Sequence, residues 1–138
     1  MLKLGATNLT CVDITDVLFQ DLKQKYPNIK LIKKDISTEE INDRFDIIVI
    51  IGVIHHIVTD EKFLLTMQNI NKYLVPGGFL IISPIKSKPV KSMFHVNFRS
   101  LNSFTKKLPS HKLCDLADFS DFYYSDNKIL VTQKQHSP

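Results

Sequence analysis

Glycine is scarce in this chain. Its 138 residues hold four, Gly5, Gly52, Gly77 and Gly78, and their spacing forms no phosphate- or cofactor-cradling loop. Cysteine is nearly as rare. Cys11 and Cys114 lie far apart in strand-like segments, so a disulfide framework or a thiolate metal site is excluded; they are expected to be buried thiols of a reducing cytoplasm. No apolar run approaches membrane length. The longest, from Ile47 to Ile57, is interrupted by Gly52 and two histidines. The opening Met1-Leu-Lys-Leu-Gly-Ala lacks the charged-then-apolar layout of a secretory signal. Acidic residues are absent from Phe79 to Cys114, where Lys86, Lys88, Lys91, Arg99, Lys106, Lys107 and Lys112 all fall. That stretch reads either as a solvated basic face or as a patch for an anionic substrate or nucleic acid. No aromatic-interleaved recognition motif supports nucleic acid.

What remains is ordinary for a soluble globular protein: 43% apolar, 23% charged, net charge +4. The length suits one domain, read here as residues 1–134, with 135–138 a flexible tail. Leu4-Gly5-Ala6-Thr7 resembles a helix end with glycine as its stop. Leu9-Thr-Cys-Val-Asp13 predicts a short strand closed by an acid. A helix capped by Thr15 or Asp16 is expected to run to about Lys25, with Val17, Leu18 and Leu22 on one face. Ile29-Lys-Leu-Ile-Lys predicts a second strand ending at Asp35, and Ser37 with Glu40 predicts a capped helix near Ile41.

Phe45-Asp-Ile-Ile-Val-Ile-Ile is expected to be the most buried strand, a continuous apolar run in a sheet covered on both faces. Gly52-Val-Ile-His55-His56 follows. Thr59 then caps a long helix with Asp60 and Glu61 in its first turn and Phe63, Met67, Ile70 and Leu74 as its apolar stripe. Pro76-Gly77-Gly78 turns the chain into the strand from Phe79 to Ser83. Strand alternating with helix implies parallel strands and crossover helices. Beyond a polar connection and a helix from Ser100 to Leu108, segments 113–124 and 128–133 predict an antiparallel hairpin through Ser125-Asp126-Asn127. The fold class is therefore α/β, a mostly parallel sheet with helices on both faces and a terminal hairpin.

In order and spacing, four of these segments resemble a class I S-adenosylmethionine-dependent methyltransferase of Rossmann-like fold. Leu9-Thr-Cys-Val-Asp13-Ile14 is similar to the family's second strand, whose terminal acid binds the cofactor ribose. Lys33-Lys-Asp35-Ile36 is similar to the third strand and the acid beside the adenine. Phe45 through His56 resembles the fourth strand and its loop, and Leu74-Val-Pro-Gly-Gly-Phe-Leu-Ile-Ile the turn into the fifth. The resemblance implies S-adenosylmethionine as cofactor, with Asp13, Ile14, Asp35, Ile36 and Gly52 beside it. It implies transfer of a methyl group to an acceptor that the sequence does not identify.

The family's first strand, its glycine loop and most of the following helix have no counterpart here. The chain is thus expected to be an N-terminally truncated version of the domain. Gly5 matches the helix-to-strand turn, not the loop. Without the loop, cofactor affinity is expected to fall severely, because glycine lets backbone approach the ligand closely. The absent strand also leaves strands 9–13 and 45–51 each with an edge to fill. They are expected to pair directly, or to associate with another chain or a second copy.

His55 and His56 are the candidates for chemistry, since an imidazole can take a proton from the acceptor as the methyl group moves. The plainer reading has one histidine packed under the sheet edge and the other facing solvent. Metal ligation is not expected: adjacent histidines diverge, and no acid or cysteine nearby completes a set. Two other functions fit part of the pattern. One is a non-catalytic module that keeps the fold as an interaction surface. The other is a nicotinamide-dinucleotide-binding domain, which leaves the Pro-Gly-Gly turn and the hairpin unexplained.

Overall fold

The computed structural model describes residues 1–88, 93–118 and 126–136. It divides into two compact units, one up to Glu40 and the other from Ile41 onward. Lys91, the second half of the 113–124 segment, Ser125 and the last two residues of the expected tail lie outside the described residues.

In the first unit, a single 3₁₀ turn, Leu2–Leu4, ends at Gly5, whose φ of 91° is the left-handed conformation of a helix stop. Strand β1 (Thr10–Asp13) pairs in parallel with β2 (Lys30–Lys33), in register from Thr10↔Lys30 to Asp13↔Lys33. Helix α1 between them is shorter than its pattern suggests, Phe19–Lys25. The Asp13 carboxylate accepts the Thr15 amide at 2.9 Å, which holds 13–15 in a turn and delays the helix. Val17 and Leu18, read as part of the buried face, are exposed. The helix expected near Ile41 is likewise a turn. Ser37 donates its amide and its hydroxyl to Asp35 Oδ1, at 2.8 and 2.5 Å, and the Asp35 amide donates to Glu39 Oε2 at 2.8 Å. Local side-chain bonds have outcompeted the helix.

The second unit is a four-stranded sheet in the order β3 (Phe45–Ile51), β4 (Leu74–Lys86), β6 (Asn127–Lys134), β5 (His111–Asp118). β3 and β4 are parallel; β6 runs antiparallel to both β4 and β5, which is the expected hairpin. The sheet is therefore mixed, parallel at one side and antiparallel at the other. Among the described strands β1 pairs with β2 in the first unit and β3 with β4 in the second. Gly77 and Gly78 lie within an irregularity of β4, where the partner shifts from Phe45↔Leu74 to Ile47↔Phe79. Gly78 is required by space: a Cβ there would sit 2.9 Å from the Val75 carbonyl oxygen and 3.0 Å from that of Asp46.

Helix α2 (Asp60–Tyr73) begins as its sequence dictates, the Thr59 hydroxyl accepting the Lys62 amide at 3.3 Å. Its stripe, Phe63, Met67 and Ile70, joins Leu74, Leu80, Ile82 and Leu130 in one core with Phe104 of the short helix α3 (Leu101–Thr105). Alternation along β3 sends Ile48 and Ile50 toward this core. Ile47, Val49 and Ile51 point the other way and stay 45%, 39% and 52% exposed, so the most buried strand is β4 and not β3 as its apolar run suggests. Neither cysteine is fully buried: Cys11 is half-buried and Cys114, on β5, is exposed, so the expectation of two buried thiols fails.

Candidate functional site

Ligands of open α/β sheets bind beyond the carboxyl ends of the strands. In the first unit the parallel register brings Asp13 and Asp35 to that end, since Asp13 faces Lys33 and Asp35 lies two residues further on. Asp13 is exposed, with one carboxylate oxygen on the Thr15 amide. It borders a small cavity of about 100 Å³ with Cys11, Leu18 and Phe19. Ile14 beside it is 66% exposed. Asp35 is half-buried and its Oδ1 is occupied by Ser37; Ile36 is half-buried too. Nearby Asp16 is held below the usual carboxylate range, chiefly by a hydrogen bond from Lys33 Nζ at 3.1 Å.

In the second unit the carboxyl end of β3 carries Gly52, whose amide donates to the Ser83 carbonyl at 3.0 Å. Its φ is +73°, and a Cβ there would meet nothing within 4 Å. Gly52 thus serves the backbone turn and does not relieve a clash. The chain then makes one 3₁₀ turn, Ile54–His56, which separates the two histidines: His55 is buried and His56 exposed. The His55 ring stacks on Phe98 with centroids 5.1 Å apart and planes 7° from parallel. It also lies 4.1 Å from the His56 ring at 40°.

A second segment, Asn97 to Arg99, grips this loop along its length. The Asn97 amide donates to the His55 carbonyl at 2.8 Å, and its side chain donates to Val58 O at 2.9 Å. Arg99, with 6% of its side chain exposed, donates to the carbonyls of Ile57, Val58 and Thr59 at 2.7, 3.2 and 3.2 Å. It also pairs with Asp60 Oδ1 at 3.1 Å and covers the Phe63 ring at 4.2 Å. Lys86 is buried as well, its ammonium 5.2 Å over Phe98. Two members of the basic stretch are therefore internal supports and not solvated charge. Asn97, Phe98 and Arg99 gave one signal in the sequence, a polar–aromatic–guanidinium run in an acid-free region.

Among the described residues no three His, Cys, Asp or Glu side chains could hold a metal, and no helix is long and apolar enough to cross a membrane.

The sequence profile of a family described as "Methyltransferase domain" matches residues 2–80, more than half of the chain. This chain belongs to the methyltransferase-domain family. Solved structures agree on the fold. An N-methyltransferase, NodS from Bradyrhizobium japonicum, in complex with S-adenosyl-L-homocysteine, is 17% identical with a TM-score of 0.76, over 99% of this chain and 71% of that one. An S-adenosylmethionine-dependent methyltransferase from Clostridium acetobutylicum is 13% identical (TM-score 0.75), over 94% and 76% of the two chains. An amino pentose methyltransferase from Micromonospora echinaspora, with S-adenosylmethionine bound, is 9% identical (TM-score 0.75), over 97% and 77%. At these identities the likeness establishes the Rossmann-like α/β fold of class I methyltransferases. No curated protein matches the sequence.

Proposed function

We propose that this chain carries the ribose-holding and acceptor-facing parts of a site for methyl transfer from S-adenosylmethionine. Each unit supports the reading by itself: in the first, Asp13 is the exposed last residue of β1, and in the second, Gly52 and the His55-His56 loop directly follow β3. The Asp13 carboxylate is accessible, with the geometry to accept hydrogen bonds from ribose hydroxyls. Asp35 fits an adenine-side role less well, because Ser37 already engages one of its oxygens. The four glycines are used elsewhere: one stops a helix turn, one turns the chain after β3, and two lie in β4. The residues present thus fit the ribose but supply no glycine loop for the methionine end.

The cofactor contributes an activated sulfonium methyl group. What the protein adds is alignment and exclusion of water. Exposure favours His56 as the histidine that takes a proton from an acceptor, while buried His55 stacks on Phe98. Calorimetry with S-adenosylhomocysteine tests the reading. The expected affinity is weak, in the millimolar range of about −4 kcal/mol. Asp13→Ala should weaken it by roughly 1.5–3 kcal/mol, the worth of a hydrogen bond to a charged group. Binding that ignores this substitution would refute the assignment. No binding by the wild-type chain at any concentration would favour the non-catalytic module.

A further inference from the structure

The acid-free stretch from Phe79 to Cys114 is not accounted for by the cofactor reading, and the structure sorts its cations. Lys86 and Arg99 are buried and engaged. Lys106 and Lys107 are exposed and line an open groove of about 820 Å³ between the first turns of α2 and the 97–107 segment. That volume suits a small organic molecule, since ligand clefts typically span roughly 300–1,000 Å³.

The groove has a chemical polarity. Its floor is Leu64 with Phe63 and Phe98, which are nearly buried at 3% and 5% exposed. One wall is lined by Ser100 and Ser103 with the two lysines. On the other, Arg99 neutralises Asp60 at 3.1 Å and leaves Glu61. The balance of these side chains is therefore positive at the lysine wall. Phe98 belongs both to this floor and to the His55 stack, so the groove abuts the loop that carries His56.

We propose that this groove is the acceptor subsite and takes a small organic anion, its carboxylate or phosphate on Lys106, Lys107 and the serine hydroxyls, its apolar body on Leu64 above the buried Phe63 and Phe98. This rests on the methyl-transfer reading above, but its test does not require turnover. Amide and side-chain NMR of the whole chain would be followed during titration with phenyl phosphate and benzoate, with benzyl alcohol and benzylamine as neutral and cationic counterparts. The two anions should bind at least about fivefold more tightly than the other two and should shift signals of residues 52–56. Lys106→Glu/Lys107→Glu should lose anion binding at least about tenfold, whereas Lys112→Glu, on β5 and outside the groove, should not.

Equal binding of benzylamine, or equal loss in Lys112→Glu, would overturn the proposal. So would anion binding that leaves residues 52–56 unmoved, or tighter binding of a single-stranded RNA oligonucleotide with equal dependence on all three lysines. If the double glutamate variant fails to fold, Lys106→Gln/Lys107→Gln replaces it with the same expectation. The two readings separate cleanly: Asp13→Ala should alter S-adenosylhomocysteine binding alone, and the lysine variants anion binding alone.

Discussion

Arg99 and Asp60 are joined at 3.1 Å, yet the two ends of this pair sit in opposite environments, with 6% of the arginine side chain exposed and 93% of the aspartate. The asymmetry predicts unequal costs. Arg99→Ala would strip donors from three carbonyls as well as from Asp60 and should destabilise by about 1–3 kcal/mol, the cost of acceptors left unsatisfied. Asp60→Asn removes an exposed partner and should cost no more than about 1 kcal/mol. Equilibrium urea unfolding checks both. An Arg99→Ala variant within about 1 kcal/mol of wild type, on the scale of a surface pair, would show that the grip is incidental.

Phe98 is expected to hold His55 through its ring face and not merely through bulk. Phe98→Leu should cost about 0.5–1.5 kcal/mol for the lost ring contacts. Phe98→Ala should cost about 3–5 kcal/mol. In the leucine variant the His55 ring protons should lose their ring-current shift. Unchanged His55 resonances would contradict the stacking.

His111 links β5 to β6 and α2, its two ring nitrogens lying 2.9 Å from Thr132 Oγ1 and 3.1 Å from Asn71 Oδ1. Burial, and secondarily the charge of Lys134, holds its pKa below the ordinary value of 6.5. The unfolded chain therefore binds more protons between the folded value and 6.5. In that window stability must rise with pH and fall on acidification. His111→Gln should flatten this part of the profile relative to wild type. Two parallel profiles from pH 7 down to about 5 would exclude the linkage.

Gly52 and Gly78 should tolerate asparagine very differently. At Gly52 the φ of +73° is open to asparagine and nothing crowds a Cβ, so Gly52→Asn should cost well under the ~1–2 kcal/mol of Gly52→Ala. At Gly78 two backbone oxygens block any side chain, so Gly78→Ala and Gly78→Asn should both cost about 1–3 kcal/mol. Thermal melts showing the reverse order would refute the distinction.

Ile47, Val49 and Ile51 leave β3 with an apolar exposed side and no charge among them. Concentration-dependent association is the expected result, read by light scattering, with Val49→Lys reducing it. A wild-type chain that stays monomeric at high concentration would remove the expectation.

The sequence showed most clearly what local pattern controls. The bounds of β3, the Thr59 cap, the α2 stripe and the hairpin were all legible, because period, capping chemistry and turn residues act within a few positions. It failed where short polar side chains competed with the helix, at Asp13–Thr15 and Asp35–Ser37. Asp13, Asp35 and Gly52 were legible as strand-end residues. Which of His55 and His56 is buried was not, since one 3₁₀ turn decides it. The contacts of Arg99 were not legible, because its partners stand 39 to 42 positions away.

That separation has a bearing on the order in which the molecule is made. A chain emerging from the ribosome has β3 and α2 complete before Arg99 exists, so the segment carrying both histidines cannot take its final shape until the later residues arrive. The piece matched by the family profile, residues 2–80, would by itself contain the histidines but none of the three residues that set their loop.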